Sequence, residues 1–449
     1  MIKDYKTTGK TYIGDPDELS LPDDDPYYAS EDDDSEEDGF FEDEKEEEVP
    51  DSHTGKLDFF REKARETAIE AKSPAYVLRE KERKRDRFRF FIVLASLAAA
   101  LVAAIALYLT NYEFTTYSVD ASFTLGTASG AKLVSFCGGD LIIGSDAVTY
   151  VKNDAVVWTA PVNVIDPICA IEGNYFALAG KGSYQFLIFD VNGILSTVRV
   201  SRKIRAIDVS QSGVTAVATE SQDTAYVSYF DRYGSRISVE VKTVLDASGY
   251  PVSISISPDG QKLLVIYYSI ANGIGESRLV VYDFQNGKAD RSYIVASYED
   301  FYDTDTYLAD ACFIDDRHAI AVGDNELVFL SDFVKGNVSR ETVRLTETIR
   351  SLAFTSSGLC LITRDPEVRF YRTDGSMEES FRAPENYDEF IVSDRYAAFR
   401  DGNRLTLYNI SGVLRYEGEL TYEPESFAFA SGRSLIFNTG TDFQKITLK

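Results

Sequence analysis

The sequence predicts an all-β fold made by radial repetition of one small sheet, reached through a single membrane-spanning helix. Three observations carry that reading. Residues 90–109 are an uncharged apolar run, the chain beyond residue 112 alternates short apolar strands with Gly, Asn and Asp turns, and one hairpin unit recurs at intervals of roughly forty residues.

Charge divides the 449 residues before hydropathy does. Residues 1–55 hold 21 Asp and Glu against 4 Lys, residues 56–89 hold 12 Lys and Arg against 7 acids, and residues 110–449 hold 30 basic against 45 acidic residues, giving the net charge of −27. The first segment is poor in aliphatic residues and cannot bury enough surface to offset the entropy of ordering, so residues 1–55 are expected to be a disordered acidic tail. Tyr27, Tyr28, Phe40 and Phe41 interrupt its acid blocks. That pattern would suit a basic, apolar groove on a cytoplasmic partner, and a solvated spacer is the plainer alternative. An acidic surface of this extent argues against nucleic acid, whose affinity for proteins comes largely from neutralised phosphates.

Residues 56–89 read as a basic juxtamembrane helical segment. Leu57, Phe60, Ala64, Ala68 and Ala71 share a helical face, Pro74 interrupts, and a second helical pattern begins near Ala75. It runs into Phe90 to Leu109, 20 residues without charge, Pro or Gly, which as a helix would span about 30 Å, one bilayer core. A cleaved signal has a shorter core and a short N-terminal region, so an uncleaved anchor is expected. Arg83, Lys84, Arg85, Arg87 and Arg89 crowd its N-terminal flank while 111–123 contains no Lys or Arg, which puts the N-terminus in the cytoplasm and residues 110–449 outside. Ser96, Ala100 and Ala104 fall four apart and would allow close approach of two such helices.

The repeat is a polar turn, an alternating strand, a second turn often ending in Gly, and another strand. It reads "GSDAVTYVKNDAVVWTA" from 144, "GKGSYQFLIFDVNGILSTVRV" from 180, "GESRLVVYDFQNGKADRSYIV" from 275 and "RDGNRLTLYNISGVLRYEGEL" from 400, with three further copies between them. Two more strand-like runs precede each copy. Four antiparallel strands per unit, radially repeated, is a β-propeller. After the seventh hairpin only three strands remain, and "EFTTYSVDASFTL" behind the membrane is an orphan. Joining them completes an eighth blade; seven blades is the alternative if the first unit is degenerate. An outermost strand placed there would start on the face of the 3-to-4 turns, which should then look toward the bilayer.

"ISPDGQKLLV" from 256 resembles the inner turn of WD40-like and TolB-type propellers, with Pro258, Asp259 and Gly260 in a tight turn. The whole layout is similar to a family of uncharacterised single-pass membrane proteins of clostridia-type Gram-positive bacteria. The resemblance implies a fold and no activity. The Gly-His and Trp-Asp pairs of true WD40 repeats are absent, the only Trp being Trp158.

Candidate chemistry is sparse. With His53 and His318 the only histidines, His-based zinc sites and Ser/His/Asp sets are nearly excluded. Cys137, Cys169, Cys312 and Cys360 lie far apart in apolar, strand-like contexts and read as small buried hydrophobes. No cofactor, metal or catalytic residue is expected. The longest 2-to-3 loop, Ser269 to Ser277, and the longest blade-to-blade connection, Ser297 to Tyr307, belong to one corner, and long loops on rigid scaffolds tend to carry binding. There Glu299, Asp300, Asp303 and Asp305 offer carboxylates, and Tyr298, Phe301, Tyr302 and Tyr307 offer stacking surfaces for a sugar or peptide. The Asp-x-Asp-x-Tyr order departs from calcium-loop patterns. The expectation is an envelope-anchored binding or scaffold protein for a protein or cell-wall polymer outside, with a recruiting tail inside. A transmembrane sensor and an extracytoplasmic hydrolase are the alternatives, and oligomeric state is left open.

Overall fold

The computed structural model describes residues 59–66, 74–124, 130–271, 273–285, 293–334 and 337–449. The expected acidic tail, 1–55, and the end of the first expected helix lie outside these residues.

Helix α1 spans 59–66 and helix α2 spans Pro74–Asn111. Pro74 is the first residue of α2, where its missing N–H costs nothing and its fixed φ suits a helix. By length and composition, α2 holds a stretch, within Lys81–Ile105, long and apolar enough to cross a membrane, with the charge-rich residues 81–89 at its N-terminal end. Phe90, Phe91, Leu97, Leu101 and Ile105 on it are all exposed. Ser96 donates its hydroxyl to Val93 O at 2.8 Å, so this polar group is satisfied within its own helix.

Beyond α2, strands β1 to β32 follow in chain order, arranged as eight four-stranded antiparallel sheets, with a one-turn helix at Leu245–Ser248 between blades 3 and 4. Blades 1 to 7 are continuous in sequence, at 132–161, 167–199, 203–244, 250–298, 308–344, 349–382 and 389–419. Blade 8 is composite. Strand β1 (Tyr117–Thr124) pairs with β32 (Asp442–Leu448) outside β31 (Ser434–Asn438) and β30 (Ser426–Ser431), in register from Tyr117↔Leu448 to Thr124↔Asp442. The orphan strand thus closes an eighth blade as expected. Inner strands β30 and β2 (Lys132–Phe136) lie side by side and complete the ring.

The core sits between blades, because each strand alternates side chains between the two faces of its sheet and both faces of most blades are covered. Phe136, Tyr150, Phe176 and Phe189 fill the gap between blades 1 and 2, with Phe176 and Phe189 stacked at 4.2 Å. Buried polar groups tie neighbouring inner strands. Ile256 N–H donates to Asp208 Oδ2 at 2.8 Å, Ser253 Oγ to Asp310 Oδ1 at 2.7 Å, and Phe313 N–H to Ser255 Oγ at 2.9 Å. The 1-to-2 turns link in the same sense, Asp259 N–H donating to Asp316 Oδ1 at 2.7 Å. Gly260, at φ 74°, supplies the left-handed residue that the Pro258-Asp259-Gly260 turn requires.

Two faces result. One carries the 1-to-2 and 3-to-4 turns, the other the 2-to-3 loops and blade-to-blade connections; they are called here the turn face and the loop face. The chain enters at the turn face. Phe114 donates its N–H to Arg415 O, Thr115 N–H meets Lys449 O at 2.9 Å, and the buried Phe114 ring lies under the guanidiniums of Arg415 and Arg433. Two cysteines depart from the expected buried setting: Cys137 occupies a turn at φ 48° after β2, half-buried, and Cys169 is half-buried in the first strand of blade 2, while Cys312 and Cys360 are buried in strands.

Candidate functional site

The stretch Ser269 to Ser277, expected to be a loop, is a β-ribbon. Strands β15 (Lys262–Ala271) and β16 (Ile274–Asp283) are ten residues each, against five to seven for second and third strands elsewhere, and pair through Ala271↔Ile274. Only Asn272 and Gly273 separate them, and Gly273 has φ 80°. Asn-Gly in a two-residue connection between alternating strands is the strongest short-range hairpin signal. The inner strand β14 (Tyr250–Ile256) stops pairing at Tyr250↔Tyr268, and the outer strand β17 (Ile294–Tyr298) at Leu279↔Tyr298. Three residue pairs therefore project past the blade, about 10 Å at strand rise.

Tyr268 and Ile270 share one ribbon face with Gly275, since alternate residues of one strand and directly paired residues of its partner point the same way. A Cβ on Gly275 would lie 2.1 Å from the Tyr268 hydroxyl and 3.0 Å from the Tyr307 ring. The missing side chain lets these two rings, 6.2 Å apart, cover the ribbon backbone. Ile270 and Ile274 at the tip are 72% and 44% exposed, and Tyr250 beside them is 50% exposed.

Residues 298–307 brace this ribbon, with a single 3-10 turn at Asp300–Tyr302. Phe301 is not the stacking surface expected of it. It is fully buried between blades 4 and 5 against Leu264, Leu308 and Leu330, because the connection crosses the blade gap and an aromatic there plugs it. Arg340 holds Asp300 by two hydrogen bonds of 2.7 Å and lies 4.9 Å from the ring centres of both Tyr298 and Phe301. Arg278 donates to Ser248 O at 2.8 Å and pairs with Glu299 at 3.5 Å. Burial pushes the Tyr298 hydroxyl above its usual range, with Arg340 opposing. Tyr307 N–H donates to Asp324 Oδ1, Asn325 Nδ2 to Asp305 O, and Leu308 N–H to Ser277 Oγ, at 2.8, 2.8 and 3.0 Å.

Two of the four expected carboxylates are thus neutralised by arginine. Asp303 and Asp305 are exposed, and Glu276 on the ribbon is half-buried; none of the three has a basic partner among the described residues. Among the described residues no group of three or more His, Cys, Asp or Glu is arranged to hold a metal ion. The corner therefore offers an apolar, rigid projection with an acidic collar. Tyr250 and Tyr268 lie outside the sequence-derived corner, and Ile270, Ile274 and Gly275 fall within its Ser269 to Ser277 stretch without having been singled out. A cavity of about 260 Å³ lies on the turn face between blades 3 and 4, walled by Val214, Tyr229, Ile237, Val239 and Phe284.

The model of a family described as "Family of unknown function (DUF5711)" matches residues 110–448. The chain belongs to this family. No curated protein matches it. Among solved structures, this DUF5711 chain is similar to Sqt1 of Saccharomyces cerevisiae, with TM-score 0.50 and 10% identity over 74% of this chain and 99% of that one. It is also similar to BamB of Moraxella catarrhalis, with TM-score 0.48 and 12% identity over 74% and 100% of the two chains. Sqt1 of Chaetomium thermophilum, in a structure bound to the N-terminus of the ribosomal protein L10, gives TM-score 0.49 and 12% identity over 74% and 100%. At such identities the likeness concerns the fold alone.

Proposed function

We propose that this chain is a membrane-anchored scaffold whose propeller holds a protein partner on its loop face. In this reading the apolar part of α2 is the anchor, the cluster Arg83, Lys84, Arg85, Arg87 and Arg89 faces the cytoplasm, and the propeller works outside. The anchor is supported by a stretch that is apolar all round and exposed along its length. The binding role rests on one observation. Large exposed apolar side chains gather on the loop face at the blade 4 corner, at Tyr250, Ile270, Ile274 and Tyr307, with Ile165 and Tyr184 at blades 1 and 2, whereas those at or beside the turn face, Val156, Ile194, Tyr233, Val334 and Met377, are spread singly over five blades. Clustered apolar exposure on a folded domain marks interaction sites.

A photo-crosslinking amino acid placed singly in the full-length protein in intact cells tests this reading. Positions Tyr184 and Tyr250 on the loop face should yield discrete protein adducts, and Tyr233 on the turn face and Met377 on an outer strand should not. Adducts of equal yield from all four positions, or from none, would remove the reading.

A further inference from the structure

We infer that the blade 4 ribbon is the anchor of the loop-face interaction, and that its partner is a protein presenting an apolar cleft edged by Lys or Arg. The inference rests on the loop-face reading above and names the element and the complementary chemistry. Three features converge on it.

First, four of the six exposed apolar groups of the loop face gather at one projection. Ile270 and Ile274 lie next to the turn of a ribbon that has outrun both flanking strands, with Tyr250 at its inner foot and Tyr307 against its backbone. A projecting apolar tip is shaped to fill a concave partner and cannot itself enclose a small ligand.

Second, the tip stands on a fixed base. Arg278 is tied to Ser248 and Glu299, Ser277 to Leu308, and Gly275 lies beneath the Tyr268 and Tyr307 rings. Little conformational entropy is then lost when the tip is captured, which is the condition for a short contact to bind well.

Third, the charge around it has one sign. Arg278 and Arg340 are consumed by Glu299 and Asp300, leaving Glu276, Asp303 and Asp305 as an acidic collar. Such a collar favours a basic rim on the partner and disfavours both an anionic lipid surface and another copy of this acidic chain.

The test uses the full-length protein in its native membranes, with the photo-crosslinker at Val252, 47% exposed on the inner strand of blade 4. An adduct to a different protein is expected, and I270S/I274S should lower its yield about tenfold or more. E276Q/D303N/D305N should lower it several-fold and reduce its sensitivity to salt. Thermal unfolding of both variants should match wild type, since the changed groups are exposed or at the rim; a variant that unfolds early is replaced by the single change Ile270→Ser. A homodimer adduct, a lipid adduct, or a yield indifferent to Ile270 and Ile274 overturns the assignment. Adducts from Tyr184 that survive I270S/I274S, with none from Val252, would leave the loop-face reading standing and sink only the ribbon.

Discussion

Blades 4 and 8 are built from the same four-stranded unit and use their strands for opposite ends. In blade 8 the two ends of the propeller sequence meet. Strand β1 supplies the outer edge, Lys449 N–H returns to Thr116 O at 2.8 Å, and Phe114 fills the gap to blade 7. In blade 4 all strands are consecutive, and the middle pair is longer than closure needs. The surplus extends into solvent and carries apolar side chains that add nothing to the core. Closing the ring constrains one blade, and that leaves another free to present a surface.

Five changes would break or sharpen this contrast. Removing residues 112–124 strips the outer edge of blade 8 and exposes β32 along its whole length, so the cooperative unfolding transition should be lost or fall by more than about 15 °C. Phe114→Ala is the milder version, expected to cost about 3–5 kcal/mol by chemical denaturation. Removal of the strand with no effect on melting would mean that the ring does not depend on the composite blade.

Within blade 4, the base and the tip of the corner should separate. Phe301→Ala empties a fully buried aromatic site and should cost about 3–5 kcal/mol, although its neighbours Asp300 and Tyr302 were grouped with it as surface residues. A cost below about 1 kcal/mol would show that the connection does not pack as described.

The seam between blades 8 and 1 adds a pH dependence. Asp140 is 5% exposed, its Oδ1 has no hydrogen-bond partner, and burial raises its carboxyl from 3.8 to about 7, with Lys445 opposing and Asp154 reinforcing. The folded state therefore holds a proton that the unfolded chain releases near pH 4. This contribution to stability is fully present below pH 4 and is lost as pH rises to about 7. Asp140→Asn should flatten the stability profile between about pH 4 and 7 and leave the variant about 2–4 kcal/mol more stable than wild type at pH 8. Parallel profiles for the two proteins would refute the assignment.

The smallest effect on stability is expected at the ribbon. Gly275→Val drives a side chain into the Tyr268 and Tyr307 rings, where the nearest atom is the far end of the Tyr268 side chain at the protein surface, so stability should change by less than about 1 kcal/mol. The loop-face adduct from Val252 should nevertheless weaken, because the tip loses its support.

Legibility in the sequence followed the range of the interactions involved. Alternation and turn residues repeat locally, and they showed the hairpins, the blade count and the need for an orphan strand at residues 114–125. Seven consecutive hairpins and an incomplete eighth leave a closed ring few alternatives. The ribbon was also written locally, in Asn272-Gly273 between alternating residues, but a length-based reading of Ser269 to Ser277 as a loop passed over it. Phe301 was not legible. It stands among Glu299, Asp300 and Asp303, which suggest solvent, and only the crossing from blade 4 to blade 5 places its ring in the gap.

By itself the sequence determined the periodicities: an apolar run long enough for a bilayer, a strand alternation that must be covered on both sides, and a repeat that closes on itself. These follow from the fixed rise and side-chain period of helices and strands, which any stretch of chain carries with it. The tertiary structure decided which members of the blade 4 corner are available. Arg340 and Arg278 lie 40 and 21 residues from the acids they neutralise, and Tyr268 meets Tyr307 across two strands and a connection. Availability depends on neighbours distant in sequence, and only the assembled ring brings those neighbours together.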